Sequence, residues 1–231
     1  MNVLAIETSG REGSVAACRD ANVLFEETLG EGLAHGRMLL PVVDKVVSAA
    51  GWDKRRDIDL VAVGRGPGSF TGLRVGLTCA RTIALLLDRP IVGVCSLDAM
   101  ARNAPPDAAS ILTMLDAKRG DVYAAFYERK DGEPVRVRGP ELLRLDDALA
   151  AARKPVRVMG DGLLRCTTVP PDGCVAAPES KWRIRASVVA RLALNLFSEG
   201  HRDDPLHLEP IYIRRPGAEE KREMTRERGQ P

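Results

Sequence analysis

Aromatic side chains are scarce. Two Trp, three Tyr and four Phe make up 4% of the 231 residues, so the core has to be aliphatic, built from Leu, Val, Ile and Ala. Histidine is scarcer still: His35, His201 and His207 are the full set. No two of them stand at ligand spacing, which argues against a histidine-built metal site. The five cysteines are Cys18, Cys79, Cys95, Cys166 and Cys174, an odd number with no C-x-x-C pair. That pattern sets aside disulfide scaffolds and zinc ribbons. Charge of one sign is also lacking, since 34 basic against 32 acidic residues leaves +2. A dedicated nucleic-acid binder usually shifts that total, although a local basic patch remains compatible with it. The longest apolar run, Ile83 to Leu87, falls far short of a bilayer span. The N-terminus, Met1 to Ala5, has no basic region ahead of a long apolar stretch, so no signal peptide is expected. These absences predict a cytoplasmic protein without membrane attachment and without a cofactor.

What is present reads as alternating strands and helices. Asn2 to Glu7, Ser14 to Cys18 and Val23 to Leu29 predict three antiparallel strands joined by turns. Met38, Leu39, Val42, Val43, Val46, Val47 and Ala50 recur at helical spacing. Gly51 stands where a C-cap belongs, and Pro41 is expected in or near the first turn. A strand over Asp59 to Gly64, a helix over Thr71 to Leu87, a strand over Pro90 to Val94 and a helix from Leu97 follow. The order is β-β-β-α-β-α-β-α. The Pro-rich stretch Asn103 to Asp107 marks a boundary, dividing the chain into 1–104, 105–213 and a charged tail, 214–231, expected to be frayed. In the second segment, Ser110 to Leu115 and Val122 to Tyr127 flank a hairpin turn with Asp116 and Asp121, read as turn formers with a solvated ion pair. Further strands are expected at Val135 to Val137, Val156 to Gly160 and Ile211 to Ile213. Helices are expected at Leu145 to Ala152 and Ala186 to Glu199, and a loop at Pro170 to Pro178. No long internal repeat is visible.

The most informative stretch is Gly64-Arg65-Gly66-Pro67-Gly68-Ser69-Phe70-Thr71-Gly72 and the helix after it. Alternating glycines allow positive φ and close backbone approach, and Ser69 or Thr71 can cap the helix. A glycine loop opening a helix could bind an anion. This one lacks the Lys of a Walker loop and the dinucleotide spacing, so a tight connection is the favoured reading. Within the helix, Gly72, Gly76, Ala80 and Ala84 fall four apart and form a stripe of small residues. Each helical glycine costs ~1 kcal/mol relative to alanine, so close approach of another backbone is expected in return. Packing on the chain's own sheet and packing on a partner both meet that need. The two long helices together carry more apolar surface than one sheet face requires, which predicts an interface.

Five strings, Ala5 to Gly10 (AIETSG), Ala34 to Val43 (AHGRMLLPVV), Gly64 to Gly76 (GRGPGSFTGLRVG), Leu115 to Tyr127 (LDAKRGDVYAAFY) and Glu209 to Arg214 (EPIYIR), resemble the TsaB family in order and spacing. The resemblance spans essentially the whole chain. It implies an α/β, actin-like (ASKHA, ribonuclease-H-like) fold of two lobes, each a mixed sheet flanked by helices. It also implies a non-catalytic partner of TsaD, working with TsaE, in transfer of a threonylcarbamoyl group to N6 of an adenosine beside the tRNA anticodon. Pairing with TsaD, or with a second copy when alone, is implied through the two long helices. The interface candidates are His35, Met38, Leu39, Val42, Val43, Val46, Gly72, Leu73, Gly76, Leu77, Ala80, Ile83 and Ala84. Contact with tRNA is implied only indirectly or weakly.

TsaD-like relatives carry a histidine pair after the strand that follows the glycine-loop helix; here those positions hold Ser96 and Met100. A hydroxyl and a thioether make a poor iron or zinc site, so no metal and no catalytic residue is expected. Glu7, Thr8 and Ser9 stand where such folds place a first phosphate loop. They are the candidate nucleotide contacts, against the favoured reading of a turn capped by short hydroxyls. The alternatives are an ATPase or sugar-kinase-like enzyme of the same fold and, with no sequence signature behind it, a glycoprotease-like peptidase.

Overall fold

Two five-stranded sheets carry the chain, and both have the same plan. The computed structural model describes residues 1–31, 35–166 and 171–214. The first sheet contains β1 (Asn2–Glu7), β2 (Glu12–Arg19), β3 (Asn22–Glu31), β4 (Leu60–Gly64) and β5 (Ile91–Val94), in the order β3-β2-β1-β4-β5. Strands β1 to β3 form an antiparallel meander, while β4 and β5 run parallel to β1. The second contains β6 (Ser110–Asp116), β7 (Asp121–Lys130), β8 (Glu133–Arg144), β9 (Val156–Met159) and β10 (Cys174–Ala176). Its order, β10-β9-β6-β7-β8, repeats the first strand for strand. The repeat lies in the topology and not in the sequence.

Helices α1 (His35–Ala49) and α2 (Phe70–Leu87) cover one face of the first sheet. Alternation along the strands decides which side chains they meet. Leu4, Ile6, Val61 and Val63 turn toward α1 and α2, while Val3, Ala5, Leu60 and Ala62 turn the other way. On that second side lie α3 (Ser96–Ala101) and α5 (Ala186–Ser198), packed against both sheets in one continuous cluster with Ile111, Leu115, Ala125, Tyr127 and Met159. The far face of the second sheet is closed by α4 (Leu145–Ala151). The layers run helix, sheet, helix, sheet, helix.

Local signals place several boundaries. Ser69 is the N-cap of α2, its Oγ accepting from the Gly72 N–H. Gly51 takes φ +71° after α1, and the amides of Gly51 and Trp52 donate back to Ser48 and Val47, which satisfies two end carbonyls. Helix α2 is long and apolar enough to cross a membrane by length and composition alone. Its buried residues, among them Leu73, Leu77 and Ala80, pack into the core.

Other expectations need correction. Pro41 lies inside α1, past its first turn, because the helix already begins at His35. The apolar contacts of Leu39, Val42, Val46 and Val47 offset the lost N–H. Cys174–Ala176 is a short strand and not loop. Ile211 to Ile213 is not a strand, although the Ile211 N–H donates to the Arg65 carbonyl and its side chain packs on the shared core. Within 105–213, α5 lies chiefly on strands of the first sheet while sharing one core cluster with the second, because the inner face of β1, β2 and β4 needs an apolar lid. Arg214, the first residue of the expected tail, is placed, bonding Ala117 and Asp121; residues 215–231 lie outside the described residues.

Candidate functional site

The loop after β1, the glycine loop after β4 and the start of α3 meet in one buried polar knot. Glu7 has no exposed surface. Its carboxylate accepts from the Ser9 N–H and, at 3.0 Å, from the Ser96 hydroxyl. Ser96 Oγ in turn accepts from the Gly66 N–H at 3.2 Å, and the Ser96 N–H donates to the Gly66 carbonyl at 2.8 Å. Thr8 Oγ1 donates to the Gly72 carbonyl at 2.7 Å, and the Ser69 N–H donates to the Ser9 carbonyl at 2.8 Å. Burial raises the pKa of Glu7 above its ordinary value, and the hydrogen bonds from Ser9 and Ser96 pull it part of the way back.

The glycines of the motif exist to make room for this knot. A Cβ on Gly64 would sit 1.8 Å from Glu7 Oε2. One on Gly68 would meet the Ser9 carbonyl oxygen at 2.4 Å, one on Gly72 the Thr8 carbonyl oxygen at 2.0 Å, and one on Gly76 Thr8 Oγ1 at 2.1 Å. All four clash with Glu7-Thr8-Ser9. The close approach that the helical glycines required is therefore an internal one, made by the β1–β2 loop. Glu7 and Thr8 are tied to the protein's own groups through their side chains, and Ser9 through its backbone N–H and carbonyl.

Ser96 and Met100 are likewise turned inward. Met100 is fully buried in the shared middle layer, and its sulfur lies beside Gly160. Neither side chain has a surface to offer a metal, and no group of three or more His, Cys, Asp or Glu able to hold one occurs among the described residues.

On the outside, α1 and α2 leave apolar groups uncovered. Leu40 is 66% exposed and Leu86 78%, with Met38 and Leu85 also exposed. Val43, Ile83 and Leu87 are half-buried at the edge of the same cluster.

A family model described as "TsaD: tRNA N6-adenosine threonylcarbamoyltransferase" matches residues 32–160. The Escherichia coli protein named tRNA threonylcarbamoyladenosine biosynthesis protein TsaB is 32% identical over 229 residues, 93% of this chain and 95% of that one. This chain belongs to the TsaB family. The Bacillus subtilis TsaB is 32% identical over 163 residues, 69% of this chain and 71% of its own. A solved structure of YeaZ from Pseudomonas aeruginosa superposes with a TM-score of 0.75 at 25% identity, covering 91% of this chain and 99% of that chain.

The fold of this TsaB-family chain redistributes the expected interface residues. Leu39, Val42, Val46, Gly72, Leu73, Gly76, Leu77, Ala80 and Ala84 are buried within the chain itself. The sheet and the β1–β2 loop cover them. Met38, Val43 and Ile83 retain exposure, and His35 opens α1. Leu40, Leu85 and Leu86, outside that set of candidates, are the most exposed apolar residues of the two helices. Their signal was phase: they are apolar positions off the sheet-facing stripe, with no polar reason to face water. Asp116 is a turn former, accepting from the Lys118 N–H, but the carboxylates of Asp116 and Asp121 lie largely out of solvent and their ion pairs reach beyond the turn. Asp116 binds Lys118 and Arg165, and Asp121 binds Arg144 and Arg214.

Proposed function

We propose that this chain is a non-catalytic partner subunit in the formation of threonylcarbamoyladenosine on transfer RNA. In this reading it pairs with a TsaD-type subunit, acts beside TsaE, and sits in the cytoplasm with its tRNA substrate. The supporting observation is the use of Ser96 and Met100. Where TsaD-like relatives carry a histidine pair, this chain has one side chain bonded to Glu7 and another sealed in the core. Glu7-Thr8-Ser9 is committed in the same way to the glycine loop, which speaks against the ATPase or kinase-like alternative.

What the chain offers instead is surface. Meeting a matching helix pair would cover Leu40, Leu85 and Leu86 together with Met38, Val43 and Ile83, and a lone copy would use the same faces to pair with itself. The test is a modification assay with the TsaD- and TsaE-type proteins of the same organism, with and without this chain. Formation of the modified adenosine only when the chain is added supports the reading. Formation at the same rate without it, or nucleotide turnover by the lone chain, overturns it.

A further inference from the structure

The β6–β7 hairpin is built as a rigid cationic knuckle, a role the subunit reading leaves unassigned. Lys118, Arg119 and Gly120 take φ of 65°, 59° and 81° in succession. Two of the three are not glycine, so the turn is strained and must be held from outside. Six contacts hold it. The Asp116 carboxylate accepts from the Lys118 N–H at 2.8 Å and from the Arg165 guanidinium at 2.8 Å. The Asp161 carboxylate accepts from the Asp116 N–H at 2.9 Å. Arg144 donates to the Arg119 carbonyl at 2.8 Å, and Arg214 donates to the Ala117 carbonyl and to Asp121.

The charges in this cluster are layered. Asp116 is 8% exposed, whereas Lys118 directly above it is 72% exposed. Arg119, Arg144 and Arg165 are exposed as well, while Asp121 and Asp161 are not. Five cations, Lys118, Arg119, Arg144, Arg165 and Arg214, stand on three carboxylates, a surplus of two, and the carboxylates lie underneath. A near-neutral chain thus has a positive point whose backbone is already fixed, so little conformational freedom is lost when it binds. Guanidinium and ammonium groups gathered at one exposed point suit phosphate oxygens, with Arg165 already held on Asp116 through Nε and Nη2.

We propose that this hairpin, through Lys118 and Arg119 with Arg144 and Arg165 around them, contacts the phosphate backbone of RNA directly. It rests on the tRNA-modification reading and extends it, since that reading needs no RNA contact from this chain. The contact is ionic and sequence-independent, a positioning contact on the transfer RNA.

The experiment titrates fluorescent tRNA with the full-length chain alone, at about 50 and about 200 mM salt. The variant is Lys118→Asn with Arg119→Asn, because asparagine tolerates positive φ and preserves the turn. The control is Arg55→Asn with Arg56→Asn, an exposed turn on the other lobe with the same charge change. The hairpin variant is expected to bind about ten-fold more weakly, with a salt slope shallower by about 1.5 to 2. The control variant is expected to match the parent chain. The proposal is overturned if the parent chain shows no salt-dependent tRNA binding, if the hairpin variant binds as the parent does, or if both variants weaken equally. Loss of co-purification with a TsaD-type subunit by the hairpin variant, with tRNA binding intact, would show an acidic protein surface as the partner and also overturn it. Whether the parent chain pairs with TsaD at all bears on the subunit reading alone, because the titration uses the lone chain.

Discussion

Glu7 and Ser96, 89 residues apart, share a hydrogen bond of 3.0 Å in a place no water reaches. Through it the end of β1 is tied to the start of α3, and the Gly66 amide to both. One bond joins the carboxylate at the end of β1 to the first residue of α3.

Removing the hydroxyl should expose the dependence. Ser96→Ala leaves Glu7 Oε2 and the Gly66 N–H without that partner in a buried site, a loss of about 1–3 kcal/mol. Urea unfolding measures it. In the Glu7→Gln background the same substitution should cost a different amount, because the two groups are in contact. Strict additivity would mean that they do not interact.

The pH dependence has a definite sign. Burial first of all raises the pKa of Glu7 above its ordinary 4.5. A carboxyl with a raised folded-state pKa gives stability that is full below the unfolded value and lost as pH rises through the folded value. Melting temperature should therefore fall, from this group, between about pH 4.5 and the raised value, and Glu7→Gln should flatten that part of the profile. A parallel profile for the variant would remove Glu7 from the account.

Gly76→Ala should destabilise the chain by about 1–3 kcal/mol, as overpacking does, despite alanine's better helix propensity. The new Cβ would meet Thr8 Oγ1. Adding Thr8→Ala should recover part of the loss. A neutral Gly76→Ala in chemical denaturation would show that the stripe has spare room.

The outer helix faces separate pairing from folding. Leu40→Arg with Leu86→Arg alters exposed positions and should change stability by less than about 0.5 kcal/mol while abolishing pairing in light scattering and co-purification. Leu77→Ala, at 3% exposure, should instead cost about 2–5 kcal/mol. Normal pairing by the double arginine variant would assign the interface elsewhere.

Arg214→Ala should loosen the hairpin that it braces. Hydrogen exchange at Ala117 to Asp121 is expected to speed up several-fold, with exchange in α4 unchanged. Unchanged exchange in the hairpin would mean that Arg144 and Arg165 suffice.

The element order of the first lobe, the N-cap Ser69, the C-cap Gly51 and the hairpin at Asp116 to Asp121 were legible because each rests on nearby residues. Apolar spacing, cap chemistry and turn residues act over a few positions. The cost of glycines inside α2 was legible too, and so was the need for a close neighbour. Which neighbour was not: Thr8 lies far back in the chain, and no local pattern announces that it will lie on Gly72 and Gly76. The same limit turned the buried stripe into an expected interface. Apolar residues on the inner and outer sides of a helix look alike until the sheet's position is known.

The amino-acid sequence by itself determined the family, the alternation of strands and helices, the aliphatic core and the placing of a hydroxyl, Ser96, and a thioether, Met100, after β5. Only the tertiary structure decided what those residues do. It set Glu7 against Ser96, turned the small-residue stripe inward onto Thr8, left Leu40 and Leu86 outside, and brought Arg144, Arg165 and Arg214 onto one strained turn. The reason is physical: propensity and periodicity are local, whereas exclusion of water and pairing of buried polar groups depend on which distant segments come to lie together.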